Sequence, residues 1–168
     1  MMNEEEPVIA CLVHPKMVAQ DLVAENARFV VSVCTGSLLL AATGLLVGKK
    51  ASTHWSLRVT NVLDLLEVKV QNKRITLDGK YLTCAGVTSG IDLGLTIVSL
   101  WAETEKEGVT NGEYATLVYE YQPEPPFKTG TPDDAPQALS EKFLDLRKAL
   151  IDDCIEVARE IRNNWPRE

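Results

Sequence analysis

Apolar runs separated by polar breaks divide the first half of the chain into short predicted strands and helices. The run Phe29–Val33 is rich in β-branched residues and of strand length, and the apolar segment Thr35–Thr43 predicts a helix that ends near Gly44. Shorter segments follow, with a strand predicted over Lys50–Thr53, a helix over Ser56–Leu66, and strands over Val68–Val70, Arg74–Leu77 and Tyr81–Cys84. Strands that alternate with helices favour a layered α/β fold.

A tight turn and a buried helix are predicted next. Asp78-Gly79 is a hairpin signal between the last two strands. Thr88 or Ser89 caps a helix that runs to about Glu105, and this helix is apolar on most faces, so we expect it to be largely buried. A shorter helix is predicted over Thr110–Tyr119.

The C-terminal third is predicted to be a proline-rich loop followed by one long helix. The segment Gln122–Pro136 contains five prolines and predicts a surface loop. The helix is predicted over Pro136–Asn163, with one continuous apolar stripe made of Leu139, Phe143, Leu146, Leu150, Cys154, Val157 and Ile161. We expect this stripe to pack on the body of the protein or on a partner subunit.

The N-terminal residues give weaker signals. Met1–Pro7 is polar and acidic, and its glutamates at positions 4–6 are predicted to belong to a solvated tail. Val8–Val13 is either a short strand or the lead-in to a helix over Pro15–Ala27.

The charge balance argues against nucleic acid and membrane surfaces as partners. The 168 residues carry 17 Lys and Arg against 24 Asp and Glu, a formal net charge of −7. Binding to a phosphate backbone and attachment to an anionic membrane both rely on clustered basic residues. No apolar run approaches the ~18 residues that a membrane helix needs. The length is that of one domain, which we place over residues 1–168.

The cysteines and histidines do not form a metal-binding pattern. Cys11, Cys34, Cys84 and Cys154 include no CxxC pair, and the chain has only two histidines. We therefore expect neither a metal nor an organic cofactor. Free cysteines in an acidic chain without a signal-peptide pattern indicate a reducing compartment, and we expect the cytoplasm.

Cys34 occupies the most informative position in the sequence. A β-branched strand ends on it, a helix begins within two residues, and its neighbours Ser32 and Gly36 are both small. Such a sharp strand-to-helix turn is a nucleophile elbow, which tolerates only small neighbours and presents its central side chain. The helix start carries about half a positive charge, which favours a thiolate, and its free N–H groups can hold a developing negative charge.

Each candidate residue also has a purely structural interpretation. Most free cysteines are small buried hydrophobes, and we prefer that interpretation for every cysteine except Cys34. His54 either returns to the elbow or is a core histidine whose ring bonds a backbone carbonyl beside Trp55. Asp92 suits the start of a helix electrostatically and is predicted to be structural. Two interpretations are open for the aromatic and proline residues in and before the loop: they line a pocket, or they cover a subunit interface. These residues are Tyr119, Tyr121, Pro125, Pro126 and Phe127.

Three blocks of the sequence carry a family resemblance. They are Ser32–Trp55 (SVCTGSLLLAATGLLVGKKASTHW), Gly86–Val98 (GVTSGIDLGLTIV) and Tyr119–Pro132 (YEYQPEPPFKTGTP). In residues, order and spacing they resemble the DJ-1/PfpI superfamily, and most of all its isocyanide hydratase branch, over about residues 17–168. The resemblance implies a flavodoxin-like three-layer α/β sandwich with a parallel central sheet, assembled as a homodimer.

The resemblance also implies roles for individual residues. Cys34 matches the nucleophile, and Thr35 matches the threonine that stands, in the hydratase branch, where many superfamily members have a histidine. A pocket and anion hole are implied for Gly36, His54, Gly86, Val87 and Thr88. The chemistry implied for a hydratase is thiolate attack on the terminal carbon of an isocyanide, protonation by a carboxylic acid to a thioimidate, and release of an N-formamide by water.

The resemblance implies a longer N-terminal segment than the one present in this sequence. In the family that segment resembles a first βαβ unit and supplies the acid, whereas about 16 residues precede the corresponding point here. We therefore expect a sheet without the usual first strands, and no carboxylate of this chain matches the general acid. The leading hypothesis is a small-molecule hydratase, a carbon–oxygen lyase if active. Two alternatives stay open: a catalytically silent relative that binds a ligand or partner, and a redox-sensing cysteine protein.

Overall fold

The structure, a computed structural model, describes residues 9–11, 24–101 and 110–165. Its strands are β1 (Ile9–Cys11), β2 (Phe29–Val33), β3 (Lys50–Ala51), β4 (Lys69–Val70), β5 (Ile75–Asp78) and β6 (Tyr81–Cys84). Its helices include α1 (Gly36–Ala42), α2 (Trp55–Val59), α3 (Ser89–Trp101), α4 (Asn111–Val118), α5 (Gln137–Leu146) and α6 (Lys148–Asn164), with a 3-10 helix over Leu63–Leu66. The strand alternative for Val8–Val13 is confirmed, whereas the predicted tail and the predicted end of α3 near Glu105 lie outside the described residues.

The central sheet has the strand order β1-β2-β6-β5. Strands β1, β2 and β6 run parallel, and Val33 at the end of β2 pairs with Cys84 at the end of β6. Strand β5 runs antiparallel to β6, because the two form the predicted hairpin. Gly79 in its two-residue loop has a φ of 61°, a conformation that glycine adopts without steric cost. The sheet, expected to be parallel, therefore has an antiparallel edge strand, and the short parallel pair β3-β4 lies outside it.

Helices cover both faces of the sheet, which confirms the three-layer α/β prediction. On one face, α1, the 3-10 helix and α6 pack around a core that includes the fully buried Leu40, Leu63 and Leu66. On the other face, α3 places Leu93 against Val31, Leu82 and Cys84 of β2 and β6. Burial of apolar side chains on both faces is what fixes the sheet between its two helical layers.

The helix predicted over Ser56–Leu66 is divided in two. It ends as α2 at Val59, and Asn61 then takes a positive φ of 54° before the 3-10 helix begins. The prediction of a single helix was wrong because both pieces are apolar at helical spacing, and periodicity alone does not reveal a change of axis between them.

The helix predicted over Pro136–Asn163 is also divided. Arg147, with φ −106° and ψ 4°, separates α5 from α6 without any proline or glycine at the break. Helix α6 packs on the 3-10 helix, whereas α5 carries Phe143 to the rings of His54 and Trp55. Tertiary contacts at two places therefore override a local pattern that favours one straight helix.

The predicted apolar stripe of this helix is only partly buried. Phe143, Cys154 and Ile161 are half-buried, and the most buried positions of α6 are Ile151 and Ala158, which the stripe did not include. Half or more of the surface is exposed at Leu139, Leu146, Leu150 and Val157. The prediction of a single continuous stripe was wrong, because the break at Arg147 divides the predicted helix into α5 and α6. Cover of these exposed residues by a partner subunit stays a prediction.

Helix α4 and the proline-rich loop were predicted correctly, but the expectation that α3 is largely buried was wrong. Only Ser89 and Leu93 of α3 are buried, and Ile91 is 53% exposed, because the helix covers one face of the sheet and leaves its outer side uncovered in the described residues. Helix α4 begins after Thr110, whose hydroxyl accepts from the Glu113 N–H while the Glu113 carboxylate accepts from the Thr110 N–H, a reciprocal capping box. Residues 122–136 form no helix or strand. Within the described ranges, no helix is long and apolar enough to cross a membrane.

Candidate active site

Cys34 lies at the carboxyl end of β2, in the turn that leads into α1. Its φ is 60°, a backbone conformation that L-residues rarely adopt. Its N–H donates to the Cys84 carbonyl at 3.1 Å, and its own carbonyl accepts from Ser37 Oγ at 3.0 Å. Hydrogen bonds on both sides thus hold the strained residue in the sharp turn that the sequence pattern predicts.

A second contact fastens the elbow to the segment after β3. Thr53 Oγ1 lies 2.7 Å from Ser37 Oγ and 3.3 Å from the Cys34 carbonyl oxygen, and both hydroxyl side chains are buried. Buried hydroxyls that are fully paired fix the distance between the two segments. This contact therefore brings His54, the next residue, to the same end of the sheet as Cys34.

The strain at Cys34 gives a stability prediction. We expect Cys34→Gly to have a free energy of unfolding about 1 kcal/mol higher than that of Cys34→Ala, because only glycine adopts a positive φ without a clash at Cβ. Both variants lack the thiol, so the comparison isolates the backbone. Urea denaturation of the two variants measures the difference. An alanine variant as stable as the glycine variant would contradict a strained turn.

Backbone N–H groups lie free beside Cys34. Thr35 is the N-cap residue of α1, and its side chain makes no capping hydrogen bond. The first N–H groups of a helix have no intrahelical acceptor, and the N–H groups of Thr35 and Gly36 have no acceptor among the described residues. These two groups are available to a negatively charged atom that forms next to the sulfur.

A cavity of about 700 Å³ opens beside the elbow. Cys34, Thr35, Gly36 and His54 all line it, so the structure brings together four of the predicted site residues. Further lining residues come from α1, α2, α5 and α6, and most are apolar: Leu38, Leu39, Leu57, Phe143, Leu150 and Ile151. The half-buried thiol of Cys34 therefore faces a space large enough for a small organic molecule.

Ser32 lines the same cavity with an unpaired hydroxyl. Its side chain is 5% exposed, and its Oγ has no hydrogen-bond partner among the described residues. An unpaired buried hydroxyl costs roughly 1–3 kcal/mol. A polar atom of a bound molecule that reached Ser32 would offset part of this cost.

His54 is both a helix cap and a cavity residue. Its Nδ1 accepts from the Ser56 N–H at 3.2 Å and lies 2.8 Å from Ser56 Oγ, so the neutral ring carries its proton on Nε2. The backbone partner is thus an N–H at the start of α2 rather than the predicted carbonyl. Burial, and then repulsion by Arg147, hold the pKa of His54 below its ordinary value of 6.5.

This lowered pKa predicts a pH dependence of stability. The unfolded chain takes up the His54 proton near pH 6.5, whereas the folded protein resists it, so the free energy of unfolding falls as the pH drops below that value. In His54→Asn this component should be absent, because asparagine caps a helix without titrating in this range. Urea denaturation of both proteins between about pH 7.5 and about pH 5 measures it. Parallel pH profiles for the two proteins would refute the assignment.

An aromatic cluster closes one side of the cavity. The ring centroid of Phe143 lies 5.0 Å from that of Trp55 and 5.7 Å from that of His54. Such distances are typical of favourable aromatic pairs. Phe143 therefore joins α5 to the start of α2 and gives the cavity an apolar wall.

Three other predicted site residues lie elsewhere. Gly86, Val87 and Thr88 are not among the cavity-lining residues. A Cβ on Gly86 would lie 3.9 Å from His54 Cδ2, so Gly86 borders the histidine ring, whereas Val87 is 77% exposed. The Thr88 hydroxyl accepts from the Arg74 guanidinium, which also pairs with Asp92. Asp92 lies in the first turn of α3 and pairs with Arg74, and its structural role stays a prediction.

The other cysteines differ in their surroundings. Cys84 is buried beneath the elbow, and burial raises the pKa of its thiol. Cys154 lines the cavity, and burial followed by the negative charge of Asp153 raises the pKa of its thiol. Both thiols are held in the protonated form. In the part of the chain that the structure describes, no group of three or more His, Cys, Asp or Glu could hold a metal ion.

The contribution of the C-terminal helices to the cavity was not predicted from the sequence. Phe143 and Cys154 were assigned to a packing stripe, and nothing in the pattern singled out Arg147. The aromatic residues of the loop do not line the cavity, and Tyr119 and Phe127 are each 76% exposed. Only the folded chain shows which residues of α5 and α6 reach the elbow.

Comparison with known proteins places the chain among relatives of similar sequence and fold. Residues 15–100 match the DJ-1/PfpI family. The chain is 43% identical to an isonitrile hydratase of Pseudomonas putida over 119 residues, which cover 71% of this chain and 49% of that protein. It is also 35% identical over 65 residues to the HTH-type transcriptional regulator CdhR of Pseudomonas aeruginosa, covering 39% of this chain and 19% of the regulator.

A solved structure agrees with the sequence comparison. The crystal structure of a ThiJ/PfpI family protein from Pseudomonas syringae superposes with a TM-score of 0.74 and 33% sequence identity, covering 84% of this chain and 56% of that chain. The chain spans about half the length of the isonitrile hydratase that it matches. The family match over half of the residues, together with the shared fold, shows that the chain belongs to the DJ-1/PfpI family.

Proposed function

We propose that the protein is a cysteine-dependent hydratase that converts an isocyanide into an N-formamide, with Cys34 as nucleophile. The observation that carries this proposal is the position of Cys34, at a strained elbow that opens onto a cavity of small-molecule size. The 43% identity to an isonitrile hydratase supports the choice of substrate. The free N–H groups of Thr35 and Gly36 suit a reaction in which negative charge develops next to the sulfur.

The first step is addition of the Cys34 thiol to the terminal carbon of the isocyanide. A bond forms between Sγ and this carbon, and the proton that leaves sulfur is matched by the proton that the carbon gains. The product is a thioimidate, with a C=N double bond, attached to Cys34. The apolar cavity walls can contact the hydrocarbon part of an isocyanide while its terminal carbon lies at the sulfur.

The second step is hydrolysis of the thioimidate. Water adds to the same carbon, the nitrogen gains a proton, and the carbon–sulfur bond breaks as the C=O bond of the formamide forms. The proton lost by water returns to the thiol, so one water is consumed and Cys34 is regenerated. The N–H groups of Thr35 and Gly36 are the donors that can stabilise negative charge next to Cys34 during these transfers.

Two measurements test the proposal on the purified protein. With an aliphatic isocyanide such as cyclohexyl isocyanide, we expect N-formamide whose oxygen derives from ¹⁸O-labelled water. Acid-quenched protein should carry an adduct of the full mass of the isocyanide on the peptide that contains Cys34, because addition loses no atom. If formamide forms no faster than in buffer and no adduct is detected, the proposal is overturned in favour of a catalytically silent relative.

A further inference from the structure

Arg147 places a positive charge in the wall of the cavity that contains Cys34. It lies at the break between α5 and α6. Among the described residues that line the cavity, no other Asp, Glu, Lys or Arg is present. Its guanidinium carbon stands 5.9 Å from the ring centroid of Phe143, four residues earlier in the chain. The break in the helix and the contact with the Phe143 ring place Arg147 in the cavity wall, where it is also exposed to solvent.

The charge of Arg147 has no carboxylate partner within the described ranges. Ion pairs there join Arg74 to Asp92, Lys148 to Asp152 and Arg162 to Glu67. What distinguishes Arg147 from the other arginines without an ion pair in the described ranges is its place in the wall of a mostly apolar cavity. Guanidinium groups bind carboxylates through two parallel hydrogen bonds, so an anionic group of a bound molecule fits this position.

The field of Arg147 extends into the cavity rather than only into solvent. It repels a proton on His54, so it contributes to the lowered pKa of that ring. His54 is consequently neutral near pH 7 and adds no second positive charge. Arg147 lines the cavity and is also exposed to solvent, so water screens part of its attraction for an anion bound there.

We propose that Arg147 selects substrates of this site that carry a carboxylate, so that the preferred isocyanide is an isocyano acid rather than a neutral hydrocarbon isocyanide. This inference rests on the proposed function. The carboxylate binds the guanidinium at one side of the cavity, and the isocyano carbon lies at the sulfur of Cys34. Arg147 is thus a specificity residue and takes no part in bond making.

A structural role for Arg147 predicts a different result. If the guanidinium only packed on Phe143, its loss would affect charged and neutral ligands alike. If it binds the carboxylate, its loss should affect the charged ligand alone. The contrast between a carboxylate and its methyl ester therefore separates the two roles.

Steady-state kinetics with isocyanoacetate and methyl isocyanoacetate test the inference. We expect the wild type to have a KM for isocyanoacetate about tenfold below that for the ester, and Arg147→Gln to lose this difference through KM with kcat little changed. Arg159→Gln on α6 removes the same charge away from the cavity and should retain the wild-type preference. Arg147→Lys should recover part of the preference, since lysine keeps the charge but not the two-point contact.

A binding measurement keeps this test separate from catalysis. Calorimetric titration with N-formylglycine, the hydrated form of isocyanoacetate, and with its methyl ester requires no turnover. Equal affinity of the wild type for acid and ester, or an unchanged preference in Arg147→Gln, would overturn the role of Arg147. Turnover of both isocyanides with equal KM would leave the hydratase proposal intact and refute this one. Preferential binding of N-formylglycine without turnover of either isocyanide would support Arg147 while refuting the hydratase.

Discussion

Replacement of Cys34 by serine is expected to lower kcat/KM for isocyanide hydration by at least about a thousandfold. Serine has nearly the shape of cysteine, so the elbow and its hydrogen bonds to Cys84 and Ser37 should persist. Its hydroxyl is a far weaker nucleophile than a thiol at neutral pH, because it gives up its proton much less readily. The loss should therefore appear in the chemical step and not in the fold.

Three measurements on Cys34→Ser separate chemistry from folding. Formamide production gives kcat/KM, intact-protein mass spectrometry should show no isocyanide adduct, and the urea midpoint should remain near that of the wild type. Calorimetric binding of N-formylglycine should also survive, since the cavity and Arg147 are unchanged. Turnover within about tenfold of the wild type would show that the chemistry does not depend on Cys34.

Replacement of Leu40 by alanine is expected to lower the free energy of unfolding by about 2–5 kcal/mol. Leu40 is fully buried on α1, in the core beneath the elbow. Its truncation removes apolar surface from the core and leaves a cavity that the surrounding side chains fill only in part. Domains of this size are typically stable by about 5–15 kcal/mol, so the change is a large fraction of the total.

The neighbouring residue provides a matched control for Leu40→Ala. Leu39 lies on the same helix, lines the cavity and is 48% exposed, so Leu39→Ala removes the same atoms from a position in contact with solvent rather than from the core. We expect that change to stay within about 0.5 kcal/mol of the wild type. Urea denaturation with a common m-value compares the two variants. Similar losses in both would mean that α1 does not pack as the structure shows.

Much of the fold was predictable because its elements follow local patterns. The strands Phe29–Val33 and Tyr81–Cys84 were predicted with their observed bounds, since β-branched and apolar runs between turn residues suit a buried strand. The hairpin at Asp78-Gly79 and the capping box at Thr110 follow from residues next to each other in the chain. The breaks at Asn61 and Arg147 were not predictable, because they depend on contacts with distant elements.

The candidate site likewise consists of residues that a local sequence pattern predicts and residues that only tertiary packing brings to the cavity. Cys34, Thr35 and Gly36 are consecutive, so the pattern of strand, small residue and helix was enough to indicate an elbow. Phe143, Arg147 and Cys154 reach the cavity from more than 100 residues further along the chain. Their positions depend on how α5 and α6 pack, and no local pattern records that.

The sequence by itself determined the α/β class, the sharp turn at Cys34 and the family resemblance, because each depends on residues that are close together in the chain. Only the tertiary structure decided that His54 caps α2 beside the cavity, that Val87 is turned to solvent, and that Arg147 faces the same space as Cys34. The physical reason is that hydrophobic burial is non-directional. It favours packing of an apolar helix face, but the partner and the angle are chosen by the shape of the whole core.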